Sequence, residues 1–254
     1  RGENLNAPVN GVRPDARYAN VIEVVSDGSS RQHSLQTNLT VNQGALFPLN
    51  KTAPRINFKR VTLFLNYTLA RNRNNSDGAF AVPAFGDIGL DWGPANNDVR
   101  HRLNATLNNQ ILKNLQVGIS FNSSSASPYT LRTGLDDNRD LIYNDRPAGV
   151  GRNSERGDGA FNMHLNINYG WTFGPPARGP PPIGIFVGGA GAAPEVRTFA
   201  QPARFRIGVF LFANNVTNHA NYVGYSGVMT SPFFRQATSV TSTRRVEMGL
   251  NFGF

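Results

Sequence analysis

Three things are scarce in this sequence of 254 residues: cysteine, lysine and long runs of apolar side chains. The absence of cysteine excludes a disulfide framework, a thiolate metal site and a cysteine nucleophile. No stretch approaches the roughly 18 consecutive apolar residues of a membrane helix, and the mean hydropathy is −0.34. Helical membrane proteins are therefore excluded. A membrane β-barrel is not, because its strands alternate and average out as polar.

The shortage of lysine makes the positive charge almost entirely an arginine charge. The net charge is +9, and 22 of the 25 basic residues are arginine, since the only lysines are Lys51, Lys59 and Lys113. The arginines are scattered, with no basic run or basic helix, so we expect no nucleic-acid partner. Arginine pairs with carboxylates and phosphates in bidentate geometry, which also suits a polar lumen or lipid head groups.

Sequence motifs for catalysis are missing as well. The four histidines lie far apart and lack metal-ligand spacing (His33, His101, His164 and His219). No serine lies in a Gly-x-Ser-x-Gly pattern, and no Ser/His/Asp arrangement is evident. We therefore expect no enzyme activity and no organic cofactor.

Alternation with period two is the strongest pattern present. In residues 161–173, the odd positions are all apolar, whereas the even positions are Asn, His, Gly and Thr. Because side chains of a strand alternate between its faces, this segment has one apolar and one polar face. The same pattern predicts further strands and a weaker one over 17–26, about eight in all, with no convincing helix: 35–42, 61–70, 102–111, 115–122, 205–211 and 246–254. Asn-x-Thr triplets at Asn38, Asn66 and Asn104 follow from the alternation and do not indicate glycosylation.

The connections between these strands favour a transmembrane barrel over a soluble sandwich. If the last strand runs towards the periplasm, the long connections 72–99, 123–159 and 216–242 all lie outside, and the short turn 112–114 lies inside. Two connections depart from this scheme. The Pro/Gly-rich stretch 174–203 is a long, irregular inner connection, and 27–31 is a short outer one.

The composition of the two faces supports the same prediction. The polar face carries Asn, Gln, Ser, Thr and Gly with almost no lysine, which suits a lumen better than a solvated exterior. Each face spans about 9–13 residues, which is what a tilted strand needs to cross a membrane. Aromatic residues near strand ends suit an interfacial girdle: Tyr67, Tyr169, Trp171, Phe173, Phe252 and Phe254. The predicted fold is all-β, an antiparallel transmembrane barrel in contact with outer-membrane lipid. A soluble carbohydrate- or protein-binding β domain remains the alternative.

Several motifs, in order along nearly the whole chain, resemble the C-terminal barrel region of TonB-dependent receptors of the Oar-like kind. They are NLNAPVNGVRPD (4–15), DVRHRLNATL (98–107), NDRPAGVGRNSERG (144–157), FLFANNVTNHANY (210–222) and the final strand. The resemblance implies a barrel of about 22 strands in a Gram-negative outer membrane, closed by an N-terminal plug and energised by the TonB complex. Residues 1–254 would form the last third of that barrel, without the plug. The implied function is uptake of an unidentified ligand; a non-transporting adhesion or surface-organising barrel stays open.

The chain begins at Arg1 without an initiator methionine or a signal-peptide pattern, so we expect a piece of a longer protein. Its outer segment 136–145, DDNRDLIYND, places oxygen donors at alternate positions of a calcium-loop pattern: Asp136, Asn138, Asp140 and Asn144. Leu141 stands where such loops carry glycine, and Pro147 where they carry glutamate. The alternative is an acidic loop whose carboxylates pair with arginines: Arg132, Arg139, Arg146 and Arg152.

The last nine residues, VEMGLNFGF, alternate to the very end. One parity is large and apolar and finishes on an aromatic residue: Val246, Met248, Leu250, Phe252 and Phe254. A terminal aromatic on such a strand resembles the signal recognised by the barrel-assembly machinery of Gram-negative outer membranes. We therefore expect this strand to close the barrel and to direct its assembly.

Overall fold

A computed structural model of the chain describes residues 1–42, 61–112, 114–176, 183–186, 195–198 and 203–254. These residues form strands, turns and one short 3-10 helix, Ile88–Asp91, so the fold is all-β. The described strands are β1 (Gly2–Asn4), β2 (Ile22–Val24), β3 (Ser30–Asn42), β4 (Val61–Asn74), β5 (Gly93–Pro94), β6 (His101–Leu112), β7 (Leu115–Ser124), β8 (Pro128–Tyr129), β9 (Glu155–Arg156), β10 (Ala160–Pro176), β11 (Ile183–Phe186), β12 (Glu195–Thr198), β13 (Ala203–Asn214), β14 (Tyr222–Tyr225), β15 (Ala237–Val240) and β16 (Arg245–Gly253).

Seven long strands form one antiparallel meander in the order β16-β13-β10-β7-β6-β4-β3, and the short β5 pairs with the end of β4. Every predicted long strand is present in it. Within the described residues, β3 and β16 each pair with a long strand on one side only, so this sheet is open and does not close into a barrel. No helix among these residues has the length and apolar character needed to span a membrane.

The pairing register lines up the apolar positions of successive strands. Leu65 lies opposite Ala105, Ala105 opposite Phe121, and Phe121 opposite Met163. The same alignment continues from β10 to β16, where Ile167 lies opposite Leu211 and Leu211 opposite Met248. Since a strand's side chains alternate strictly, this register puts the apolar residues of all seven long strands on one face.

Nothing in the described part of the chain covers that apolar face. The long strands pack mainly against their neighbours in the sheet, and many large apolar side chains are exposed, including Leu250 at 79% and Met248 at 76%. The buried hydrophobic residues among those described are only Ala84, Ala95, Leu131 and Ala213. The sheet therefore has no hydrophobic core of its own.

The 174–203 connection leaves from one end of the sheet, whereas the three long connections that were predicted to share a side all leave from the other. Residues 75–100, 125–159 and 215–244 lie there, and so do residues 1–29, because β3 begins at that end. We call these four segments the loop layer. The prediction of a strand of the main sheet over 17–26 is wrong: only Ile22–Val24 is extended, and it pairs with Gly2–Asn4 in a separate sheet.

A physical reason for this error lies in the contacts of the N-terminal segment. The backbone N–H of Gly2 donates to the carbonyl of Ala81 at 3.1 Å, and that of Ser29 donates to Oδ1 of Asn75 at 2.7 Å. These bonds attach residues 1–29 to the 75–100 segment of the loop layer. The alternating apolar residues of 17–26 therefore have no long strand to pair with. The 27–31 connection is accordingly not an outer loop between two strands of the sheet.

The stretch 174–203 differs from the irregular segment that we predicted. Strand β10 extends to Pro176 after a bulge that follows Phe173. Within the connection, β11 and β12 pair as an antiparallel two-stranded sheet, with Ile183 opposite Thr198. The other residues of the stretch between 177 and 202 lie outside the described part of the chain. The stretch lies at the end of the sheet opposite the loop layer, and its position on the inner side of a membrane stays a prediction.

Candidate functional site

The motif NDRPAGVGRNSERG holds the loop layer together through its three arginines. Arg146 pairs with Asp91 at 2.5 Å, Arg152 with Asp77, and Arg156 with Asp98. All three carboxylates come from the connection 75–100, so each pair ties the 125–159 segment to its neighbour. The side chains of Arg146 and Arg152 are 3% and 6% exposed, and a buried charge of this kind requires a partner.

Further hydrogen bonds of the same motif go to backbone carbonyls. Nε of Arg152 donates to the carbonyl of Asp91 at 3.0 Å, and Nη1 of Arg156 donates to the carbonyl of Asp98 at 2.8 Å. Asn153 is buried with φ 54°. Its amide donates to the carbonyl of Pro94 at 2.8 Å and to Oδ1 of Asn96 at 2.7 Å. The motif therefore serves as a structural clamp on the loop layer, and the three partner carboxylates are residues that the sequence reasoning missed.

Two asparagines of the motif FLFANNVTNHANY play a similar role beside β10 and β16. The amide of Asn221, which is 1% exposed, donates to the carbonyl of Phe161 at 2.9 Å, and its Oδ1 accepts from the N–H of Phe161 at 2.6 Å. The amide of Asn215 donates to the carbonyls of His219 and Ser242. Each side chain therefore hydrogen-bonds to backbone groups that have no neighbouring strand to pair with where the ladder ends.

A polar cavity of about 360 Å³ lies within the loop layer beside this clamp, with Tyr129, Arg132, Asn153 and Tyr225 among its lining residues. Tyr129 and Tyr225 stack with ring centroids 5.7 Å apart. Burial raises the pKa of Tyr129, and a hydrogen bond to Asp158 raises the pKa of Tyr225. Stacked aromatic rings beside an arginine and an amide offer both apolar and hydrogen-bonding contacts to a ligand.

The predicted calcium ligands lie on one tight loop of the loop layer. Oδ2 of Asp136 accepts from the N–H of Leu141 at 3.0 Å, Oδ1 of Asn138 from the N–H of Asp140 at 3.0 Å, and Oδ1 of Asp140 from the N–H of Ile142 at 2.7 Å. Leu141 has φ 66°, the left-handed conformation that glycine adopts at this position of a calcium loop. The amide of Asn144 donates to the carbonyl of Val82 at 2.8 Å.

The charges of this loop are not neutralised by arginine. Arg146 and Arg152 pair with Asp91 and Asp77, and no ion pair of the described residues involves a carboxylate of 136–145. The alternative of an arginine-paired acidic loop is therefore wrong. Burial raises the pKa of Asp145, with Asp140 and Asp137 adding like charge.

Two buried oxygens, Oδ1 of Asp136 and Oδ1 of Asn144, have no hydrogen-bond partner. Within the described residues, no three His, Cys, Asp or Glu side chains converge as metal ligands. A calcium ion here would therefore need amide and backbone oxygens as well as carboxylates, which is ordinary for this ion. The donor set suits a hard cation, and binding remains a prediction.

The polar face of the sheet carries a row of asparagines that crosses five strands. Each member lies directly opposite the next: Asn38, Asn66, Asn104, Asn122 and Asn162. The amide of Asn66 donates to Oδ1 of Asn38 at 2.6 Å, and the amide of Asn221 donates to Oδ1 of Asn162 at 3.2 Å. Farther from the loop layer, a cavity of about 550 Å³ opens on this face, lined by Thr62, Gln116, His164, Asn166 and other residues.

The residues of the expected assembly signal are among the most exposed of the chain. Phe254 is 89% exposed and Phe252 60% exposed. Aromatic rings join the terminal strand to its neighbours at the end opposite the loop layer, with centroid distances of 6.1 Å for Phe252–Phe254, 6.3 Å for Phe205–Phe252 and 5.5 Å for Phe173–Phe205. That this row forms a membrane girdle stays a prediction. Tyr67 does not belong to it: its hydroxyl lies 2.8 Å from Nδ1 of His101.

Comparisons of the chain with protein-family models, with curated proteins and with solved structures found no match.

Proposed function

We propose that this chain is the C-terminal part of an outer-membrane barrel of a TonB-dependent receptor of the Oar-like kind, which takes up a ligand across the membrane. The observation that carries the proposal is the seven-stranded meander whose apolar face is left bare. A contiguous apolar surface of that size is typical of a membrane or partner interface. The choice of family rests on the motifs that resemble those of Oar-like TonB-dependent receptors.

The backbone and the two faces support a membrane location. In hydrocarbon every backbone polar group needs an internal partner, and the long antiparallel ladders provide one for each inner strand. The open edges at β3 and β16 would pair with the remaining strands of the barrel. The asparagine row and the 550 Å³ cavity would then line the lumen, where water and the plug meet polar side chains.

The two ends of the sheet support an orientation. The loop layer, clamped by arginine–carboxylate pairs, would face the outside and carry the ligand-capturing surface around Tyr129 and Tyr225. The aromatic row from Phe173 to Phe254 would lie at the periplasmic interface, since girdles of aromatic residues flank the apolar band of membrane barrels. Energy would come from the TonB complex through a region outside residues 1–254.

Fractionation and labelling of the full-length protein test the proposal. Residues 1–254 contain no cysteine, so in a full-length protein whose other cysteines have been replaced, the single substitutions Gln236→Cys in the loop layer and Asn114→Cys in the opposite turn give matched reporters. We expect the protein in the outer-membrane fraction, with a membrane-impermeant maleimide reacting with intact cells only at position 236. Recovery with soluble protein, or equal labelling at both positions, would contradict the proposal.

Transport is tested separately from membrane location. We expect accumulation of ligand by cells to require an energised inner membrane and an intact TonB complex. A protein that reaches the outer membrane with the expected labelling, yet supports no energy-dependent uptake of any compound on which its host depends, would instead be an adhesion or surface-organising barrel.

A further inference from the structure

Arginine residues with no carboxylate partner gather on the apolar face of the sheet, at its loop-layer end. Arg31 on β3 lies directly opposite Arg73 on β4, and His33 lies opposite Arg71. The next apolar pair of the same parity is Leu35 opposite Leu69. The cations therefore border the bare apolar surface, on the same face.

This arrangement is unfavourable without an anion. Like charges directly opposite on neighbouring strands are destabilising, and among the described residues Arg31, Arg71 and Arg73 form no ion pair. The contrast with the loop layer is sharp, since Arg146, Arg152 and Arg156 there each pair with a carboxylate. The guanidinium of Arg73 is held over the ring of Trp92, 5.5 Å from its centroid, which fixes its position without neutralising it.

Two adjoining cavities lie at this cluster. A small one of about 130 Å³ is lined by Arg31, His33, Arg71, Arg73 and Trp92. A larger one of about 440 Å³ shares His33 and Arg71 with it and is lined also by Leu35, Leu69, Ala70 and Arg100. One cavity thus has cationic walls, and the other joins a cationic rim to leucine side chains.

We propose that this cluster binds the phosphate of a lipid head group in the outer leaflet, with the acyl part of the lipid lying along Leu35 and Leu69. Guanidinium groups make charge-assisted, bidentate hydrogen bonds to phosphate oxygens. The neighbouring apolar surface favours a lipid over a free anion, because a lipid supplies both a phosphate for the cationic cavity and acyl chains for the leucine-lined one. The inference rests on the proposed function, since it requires the apolar face to meet lipid.

Binding of defined lipids to the purified full-length protein, followed by native mass spectrometry, tests the inference. The probes are a bisphosphorylated lipid A, a diacylglycerol without phosphate, and inorganic phosphate. The test variant is Arg31→Gln/Arg71→Gln. The control is Arg102→Gln/Arg206→Gln, which removes the same charge from the polar face, where both arginines are exposed.

We expect the test variant to bind lipid A at least about tenfold more weakly than the control, because charge-assisted hydrogen bonds to phosphate are lost. Diacylglycerol should bind both variants equally. Equal binding of lipid A to both variants would overturn the inference, as would binding of inorganic phosphate as tight as that of lipid A. Loss of both lipids from the unaltered protein, together with recovery in the soluble fraction, would instead count against the proposed function.

Discussion

Replacing Arg156 by alanine removes the cation from the most deeply buried carboxylate of the loop-layer clamp. The side chain of Asp98 is 1% exposed and that of Arg156 is 32% exposed. The substitution deletes the ion pair and two hydrogen bonds from Nη1, to the carbonyls of Asp98 at 2.8 Å and Ala126 at 2.9 Å. Asp98 keeps one partner, the N–H of Asn72 at 2.7 Å.

The free-energy cost of Arg156→Ala depends on the Asp98 carboxylate that it leaves buried without a cation. Removing one partner of a buried ion pair typically costs about 3–5 kcal/mol, because the remaining charge is uncompensated. Since a third of Arg156 is exposed, water can enter the space that it vacates, and we expect the lower end, about 3 kcal/mol. That corresponds to a rise of about two orders of magnitude in the population of the locally opened state.

Hydrogen–deuterium exchange of the full-length protein measures this local opening at the amides of Asn72 and Ala95. Arg156→Ala should accelerate both. Adding Asp98→Asn should restore most of the protection, because the buried group is then neutral and only ordinary hydrogen bonds are missing. Arg245→Ala is the matched control, since its pair with Glu247 is exposed. Exchange as slow in Arg156→Ala as in the control, or no rescue by Asp98→Asn, would refute the reasoning.

Three further predictions concern the terminus and the acidic loop. Deleting Phe254 should lower the amount of full-length protein in the outer membrane by impairing its assembly, and unchanged membrane levels would count against the assembly signal. Calorimetric titration of the protein with Ca²⁺ should give a binding heat that Asp140→Asn removes; no heat in the unaltered protein would exclude the ion. Burial holds the pKa of Asp145 above its ordinary value of 3.8, so in a chelator the loop should become more sensitive to proteolysis as the pH rises from about 4 to 7. Asp145→Asn should abolish that change. A loop that becomes more resistant to proteolysis as the pH rises would contradict the prediction.

The long strands could be predicted from the sequence because their alternation is strict and both faces have a consistent character. In β10, all the odd positions from Phe161 to Phe173 are apolar, and a one-residue shift of register would turn them towards the polar face. Even the asparagine row has a local signal, the repeated Asn-x-Thr. Residues 17–26 could not be predicted from alternation, because a short apolar run has the same local pattern whether it joins a large sheet or pairs with three residues elsewhere.

The clamp of the loop layer could not be predicted in this way. The arginines of 144–157 stood out as a motif, but their partners Asp77, Asp91 and Asp98 lie 55–75 residues earlier and have no fixed spacing to them. Pairing of this kind depends on which loops the meander brings to the same end of the sheet. The unpaired arginines of β3 and β4 depend likewise on register, since Arg31 and Arg73 become neighbours only once the strands are aligned.

Spin labels walked one residue at a time along residues 163–168 of the full-length protein, in a lipid bilayer, test the central claim most directly. Residues 1–254 contain no cysteine, so once any cysteine outside them is replaced, each label occupies a single site. Collisions with oxygen, which partitions into lipid, should be frequent at 163, 165 and 167, and collisions with a water-soluble nickel complex should be frequent at 164, 166 and 168. Nickel access at both parities, or no alternation at all, would contradict an apolar face that meets the membrane.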